Sequence, residues 1–184
     1  MEEEQSKIGI VGSGLIGRSW AMLYASVGHK CWIYDIKPEQ VKSALNDIEH
    51  QLRCLEQSGL LRGKLNARQQ MLCITGTTSL EEAVRGAMLI QECIPENLDL
   101  KKKLFNTIDG LIDHSTIIAT STSAFLPSAL SEGLRHKKNF IVLHPVNPPY
   151  YVPLVEIIPA PWTATTVVDK TREMMDSIGY SMLS

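Results

Sequence analysis

Two pairs of residues combine types and spacings that could do chemistry. The first is His144 and Glu156, which stand twelve residues apart at the ends of HPVNPPYYVPLVE. A histidine titrates near neutrality and can accept an alcohol proton; a carboxylate on its distal ring nitrogen fixes the tautomer and stabilises the imidazolium. The second pair is a glycine loop and an acid. In GSGLIG, Gly12 permits a tight turn, Gly14 lets a pyrophosphate approach the backbone, and Gly17 allows close packing of helix on strand. Asp35, about twenty residues on, stands where a carboxylate accepts hydrogen bonds from an adenosine ribose. That carboxylate repels a 2′-phosphate and Ile36 supplies no cation, which favours NAD over NADP despite the nearby Arg18 and Lys37. FAD is the alternative dinucleotide, because the same fingerprint binds it.

The hydrophobic pattern predicts the elements that must position these residues. KIGIV reads as a buried strand over Lys7 to Val11, LIGRSWAMLYASVG as a helix stopped by Gly28, and KCWIYDI as a second strand. Pro38 to about Gln57 is a helix, followed by a polar turn and a short second helix in GLLRGKLNARQQM. Strands follow at Cys73 to Thr75, Ala87 to Glu92, Thr116 to Thr120, Phe140 to Leu143 and Leu154 to Ile158. Between and after them lie helices over Leu80 to Val84, Leu98 to Ile112, Pro127 to Leu134 and Thr166 to Ile178. This alternation predicts an α/β domain with a mostly parallel sheet and a helical excursion between early strands. Pro145, Pro148, Pro149 and Pro153 should break any helix and prevent a central strand. They read as stiffening a strand-end loop across which His144 and Glu156 face one another.

Composition narrows the classes of function. A net charge of −2 gives no basic surface for nucleic acid. No run approaches the roughly 18 apolar residues of a membrane span, and MEEEQSK has no signal-peptide character, so the cytosol is the expected location. Cys31, Cys54, Cys73 and Cys93 make no CxxC pair and read as reduced, buried small hydrophobes. No clustered metal-ligand set appears. His29, His50, His114 and His136 fall in polar turns or on a helix surface and read as solvated; His144 alone ends a buried strand.

Four ordered motifs carry a family resemblance: GSGLIG, QECIPENLDLKKKLF after the fourth strand, STSAF after the fifth, and LHPVNPPYYVPLVE after the sixth. From Lys7 to about Gly179 this order resembles the N-terminal domain of the 3-hydroxyacyl-CoA dehydrogenase family. HPVNPPYYVPLVE is most similar to its λ-crystallin branch, the L-gulonate 3-dehydrogenases. The resemblance implies a Rossmann-type, doubly wound domain and NAD-dependent oxidation of a 3-hydroxy acid. It implies His144 as proton acceptor, Glu156 as its orienting carboxylate, and Ser123 as donor to the reacting oxygen, with Ser123 and Asn147 meeting the substrate. Leu15 and Ile16 would offer backbone contacts to the dinucleotide beside Gly12, Gly14 and Gly17, with Asp35 at the ribose and Glu96 and Lys101 on the nicotinamide side. Family members are homodimers whose helical C-terminal domain, with a GFxxNR asparagine, completes the site. This chain reaches GYSMLS without such a segment, so residues 1–184 are expected to be one NAD-binding domain that binds NAD with little or no turnover.

Other readings stay open on the sequence alone. Ser123 could cap the helix at Pro127, Glu96 and Lys101 could be a solvated charge pair, and the Lys101 to Lys103 run reads as mostly surface. The substrate could instead be a 3-hydroxyacyl-CoA or a carnitine-like acid. A non-catalytic, NAD-binding protein of the lens-crystallin kind is the reading from another class.

Overall fold

A computed structural model describes residues 6–183; the acidic MEEEQ start and Ser184 lie outside the described residues. The opening unit is β1 (Lys7–Val11), α1 (Leu15–Ser26) and β2 (Lys30–Tyr34). The helical excursion, α2 (Pro38–Gln57) and α3 (Ala67–Met71), leads to β3 (Ile74–Thr77). Then come α4 (Leu80–Val84), β4 (Leu89–Glu92), α5 (Leu98–Asp109), β5 (Ile117–Thr120), α6 (Pro127–Ser131) and β6 (Phe140–Pro145). The described chain closes with β7 (Leu154–Pro159), α7 (Thr165–Ser177) and β8 (Ser181–Leu183).

These strands form one sheet in the order β3-β2-β1-β4-β5-β6-β7-β8. β1 to β6 run parallel; β7 is antiparallel to β6, and β8 is parallel to β7. The mostly parallel sheet expected from the alternation, and the doubly wound order implied by the resemblance, are therefore present. Helices cover both faces because the strands are apolar on both. Ile8, Ile10, Ile33 and Leu143 pack with Trp20, Leu52 and Met175 on one face. Val11, Ile90, Ile118 and Phe140 pack with Val84, Phe105 and Leu130 on the other. The strand order reverses between β1 and β4, and in such sheets ligands bind beyond the carboxyl ends of the strands at that point.

Several boundaries differ from expectation for local reasons. β4 starts at Leu89 because the amide of Ala87 closes the turn after α4 on the Val84 carbonyl. α5 stops at Asp109, capped by Gly110, and the Asp109 carboxylate takes the amides of Arg135 and His136. β8 is three residues long, too short for any periodicity to announce it.

The prolines do not exclude a central strand. β6 lies between β5 and β7 and runs through His144 to Pro145, which pairs with Val155 at the strand's end, where a missing amide costs least. Two solvation expectations also fail. Cys54 is exposed. His136 is buried, its Nδ1 2.7 Å from Asp109 and its Nε2 3.0 Å from His114.

Candidate functional site

The glycine loop joins β1 to α1. A Cβ on Gly12 would lie 2.7 Å from the Cys93 carbonyl oxygen, and Gly12 has φ +109°; a Cβ on Gly17 would lie 1.9 Å from the Gly12 oxygen. Both positions therefore demand glycine for packing. Gly14 differs, because a Cβ there would meet nothing within 4 Å. The space above it is open. α1 begins beyond Gly14 with no side-chain cap and no acid in its first turn, so its free amides face that space. This is the arrangement a pyrophosphate needs.

Asp35 follows β2, and its Oδ2 accepts the Ser13 hydroxyl at 2.7 Å and the Ser13 amide at 3.2 Å. Oδ1 receives only the long 3.4 Å contact from the Lys37 amide, which leaves it capacity for a ribose hydroxyl. Arg18 is committed elsewhere, bonding Asp47 at 3.1 Å and the Ser13 carbonyl at 2.8 Å. Of the two nearby cations only Lys37 lines the cleft. Ile16 lines it too, whereas the Leu15 side chain is exposed and does not.

The cleft has a volume of about 920 Å³ and runs along the carboxyl ends of the strands from Asp35 to His144 and Asn147. At its far end, His144 and Glu156 are directly paired residues of the antiparallel β6–β7 ladder, and Nδ1 of His144 lies 2.8 Å from Oε2 of Glu156. The ladder register, rather than loop stiffness, brings them together. A carboxylate only accepts, so Nδ1 carries the shared hydrogen, and in the neutral ring Nε2 keeps its lone pair. The two side chains are 30% and 45% exposed, so as described the pair meets water. The loop between them is tied back: the Arg62 amide donates to the Tyr150 hydroxyl, and the Tyr180 hydroxyl donates to the Pro149 carbonyl.

Ser123 also lines the cleft, held from behind. Its amide donates to Oε1 of Glu96 at 2.8 Å, and the Thr122 hydroxyl donates to the same carboxylate at 2.8 and 3.0 Å. Burial alone would raise the Glu96 pKa; the Ser123 amide, the Thr122 hydroxyl and the Lys101 charge outweigh it and hold the carboxyl below its ordinary value.

Lys101 corrects an expectation. It is 1% exposed, with Nζ 2.7 Å from Glu92 and 3.1 Å from the Ile94 carbonyl, and Glu96 is farther at 3.7 Å. It is neither a surface lysine nor one arm of a solvated pair. Glu92, fully buried, also accepts the Thr120 hydroxyl at 2.6 Å and the Ile94 amide at 2.6 Å. Burial pushes its carboxyl up, against the pull of Lys101 and the hydrogen bonds. Sequence reasoning missed Glu92, Thr122 and Ser13. A carboxylate closing the apolar run LIQE, with a lysine nine residues on, was the signal for the first.

Among the described residues, no group of three or more His, Cys, Asp or Glu side chains could hold a metal ion. No described helix is long and apolar enough to cross a membrane.

Comparison with known proteins agrees with this geometry. Residues 7–183 match the family described as 3-hydroxyacyl-CoA dehydrogenase, NAD binding domain. The lambda-crystallin homolog of Mus musculus is 55% identical over 172 residues, which is 94% of this chain and 54% of that protein. An L-carnitine dehydrogenase of Oceanobacillus iheyensis is 34% identical, again over 94% of this chain and 54% of its own length. The crystal structure of 3-hydroxybutyryl-CoA dehydrogenase from Escherichia coli superposes with a TM-score of 0.92 at 26% identity, covering 98% of this chain and 38% of that one. This chain thus spans about half the length of the curated relatives it matches. Glycine loop, Asp35 and sheet order fit an NAD site, and the chain belongs to the 3-hydroxyacyl-CoA dehydrogenase family as an NAD-binding domain.

Proposed function

We propose that these residues form the cofactor-binding half of an NAD-dependent 3-hydroxy acid dehydrogenase whose substrate is L-gulonate, oxidised to 3-dehydro-L-gulonate. The 2.8 Å contact between His144 and Glu156 at the end of the NAD cleft carries this reading. Bound NAD supplies the hydride acceptor. Nε2 of His144 takes the hydroxyl proton as the carbon loses hydride, and Glu156 stabilises the imidazolium so formed. The Ser123 hydroxyl donates to the substrate oxygen, with Glu96 holding the Ser123 backbone in place. Asn147, at the same end of the cleft, meets the rest of the substrate. Gly12, Gly14, Gly17 and the backbone of Leu15 and Ile16 hold the dinucleotide, with Asp35 at its ribose.

The substrate choice is supported by the 55% identity to a lambda-crystallin homolog and by the HPVNPPYYVPLVE wording. L-Carnitine is the second reading, since relatives at 34% identity are named for it and it too is a 3-hydroxy acid. The test is a full-length chimera, with residues 7–183 replacing the matching segment of the mouse lambda-crystallin homolog. NADH formation from L-gulonate and not from L-carnitine or a 3-hydroxyacyl-CoA is the expected result. The reverse preference overturns the substrate, and no NADH from any of them overturns the catalytic reading in favour of a structural, NAD-binding role.

A further inference from the structure

Ser121, one residue beyond β5, has a role in none of the chemistry above, yet it lines the cleft and its hydrogen-bond inventory is unbalanced. Its Oγ receives the indole Nε1–H of Trp20 at 3.1 Å and the amide Nε2–H of Gln91 at 2.7 Å. The indole is a donor only. The Gln91 amide is oriented on two sides: its Oε1 faces the Tyr24 hydroxyl at 3.4 Å, and its Nε2 faces the Leu143 carbonyl at 3.5 Å. Turning the amide over would set its oxygen against that carbonyl. A hydroxyl has two lone pairs, and both are filled by these donors. The Ser121 hydrogen must therefore be donated, and among the described residues the acceptor within reach is Sγ of Cys93 at 3.3 Å, a weak one.

The strand order says what lies in the other direction. Asp35 follows β2, the glycine loop follows β1, Cys93 follows β4, Ser121 follows β5 and His144 stands in β6, and these strands are consecutive neighbours in the sheet. A dinucleotide with its adenosine ribose at Asp35 and its phosphates at Gly14 would bring its nicotinamide half towards β4 and β5, the strands between the glycine loop and His144.

We propose that the Ser121 hydroxyl is a cofactor-contact residue that donates to an oxygen of the nicotinamide half, either the carboxamide or the ribose that carries it. This rests on the NAD cleft and not on the choice of substrate. Trp20 and Gln91 fill the acceptor side of the hydroxyl and so aim its hydrogen into the cleft.

The test uses the 184-residue chain, with NADH, ADP-ribose and ADP titrated calorimetrically into the unmodified protein, Ser121→Ala and Ser121→Cys. The cysteine variant keeps the packing volume should the alanine variant fail to fold. Loss of one neutral hydrogen bond predicts NADH binding about 3- to 10-fold weaker, with ADP unchanged within about twofold. ADP-ribose weakened in step with NADH assigns the ribose oxygen; ADP-ribose behaving as ADP assigns the carboxamide. NADH and ADP weakened equally, or NADH binding unchanged in a folded variant, overturns the proposal. Failure of the unmodified chain to bind NADH or ADP overturns the cofactor site itself, and the proposal with it.

Discussion

In the proposed function His144 and Asp35 divide the work of the cleft between chemistry and recognition, and their variants should fail differently. His144 stands in β6, beyond the strands proposed to hold the dinucleotide. His144→Ala is expected to leave NADH affinity within about twofold while lowering turnover of the full-length chimera by about 10²- to 10⁴-fold, the range for a lost general base. Equal loss of binding and turnover would mark the histidine as structural. Asp35 holds Ser13 through Oδ2 and keeps Oδ1 for a ligand. Asp35→Ala removes charge-assisted hydrogen bonds and should weaken NADH about tenfold or more while narrowing the preference over NADPH. Fluorescence titration with the two nucleotides reads both effects; an unchanged preference would place the ribose elsewhere.

At the scale of elements, the loops at the two ends of the sheet are held by carboxylates, one exposed (Glu96) and one buried (Asp109). Glu96 holds the loop after β5 at the carboxyl end, and Asp109, at the end of α5, holds the segment before β6. Burial opposes ionisation of Asp109, but the amides of Arg135 and His136 and the His136 ring outweigh it and depress its pKa. A carboxyl with a folded pKa below its unfolded one stabilises the fold above the ordinary aspartate range. That stability is lost as pH falls through the depressed value. Thermal melts from pH 6 down to about 3 should show a decline that is shallower in Asp109→Asn, since pH then no longer gates the contact. A parallel decline in both proteins would remove Asp109 as its source.

How much of these elements was legible follows the same division. The strand, glycine turn, helix and second strand were readable because periodicity and glycine spacing are local signals, and α2 was readable from Pro38 to Gln57 for the same reason. The role of Asp109 and the burial of Lys101 were not, because each depends on partners that only the tertiary fold supplies, the closest being His136 and Glu92. The His144–Glu156 pair lay between. Its residues were visible, but the ladder register that joins them is long-range, and the prolines suggested a loop instead.

At the scale of the whole molecule, the two ends of the cleft, which the proposed function takes as cofactor side and substrate side, are unequally built. The glycine loop is packed against Cys93, and the loops carrying Glu96 and Ser123 are anchored to the buried Lys101–Glu92 pair. On the substrate side Ser123 and Asn147 are exposed, and His144 and Glu156 are open to water. General-base chemistry and hydride transfer both gain from water exclusion, because a low-dielectric surround strengthens the electrostatic contacts of the developing charge. The residues described here provide no cover over that end. We therefore expect the 184-residue chain to bind NADH while oxidising L-gulonate at least about 10²-fold more slowly than the full-length chimera, a gap comparable to removing one catalytic group. In this proposal the cover is supplied in the chimera by the rest of the relative's chain, as a helical domain that would also make the dimer contact. Turnover of the chain at a rate near the chimera's would show that the exposed pair needs no cover. If the chain turned over slowly and also failed to bind NADH, the fault would lie in the cofactor half rather than in the missing cover.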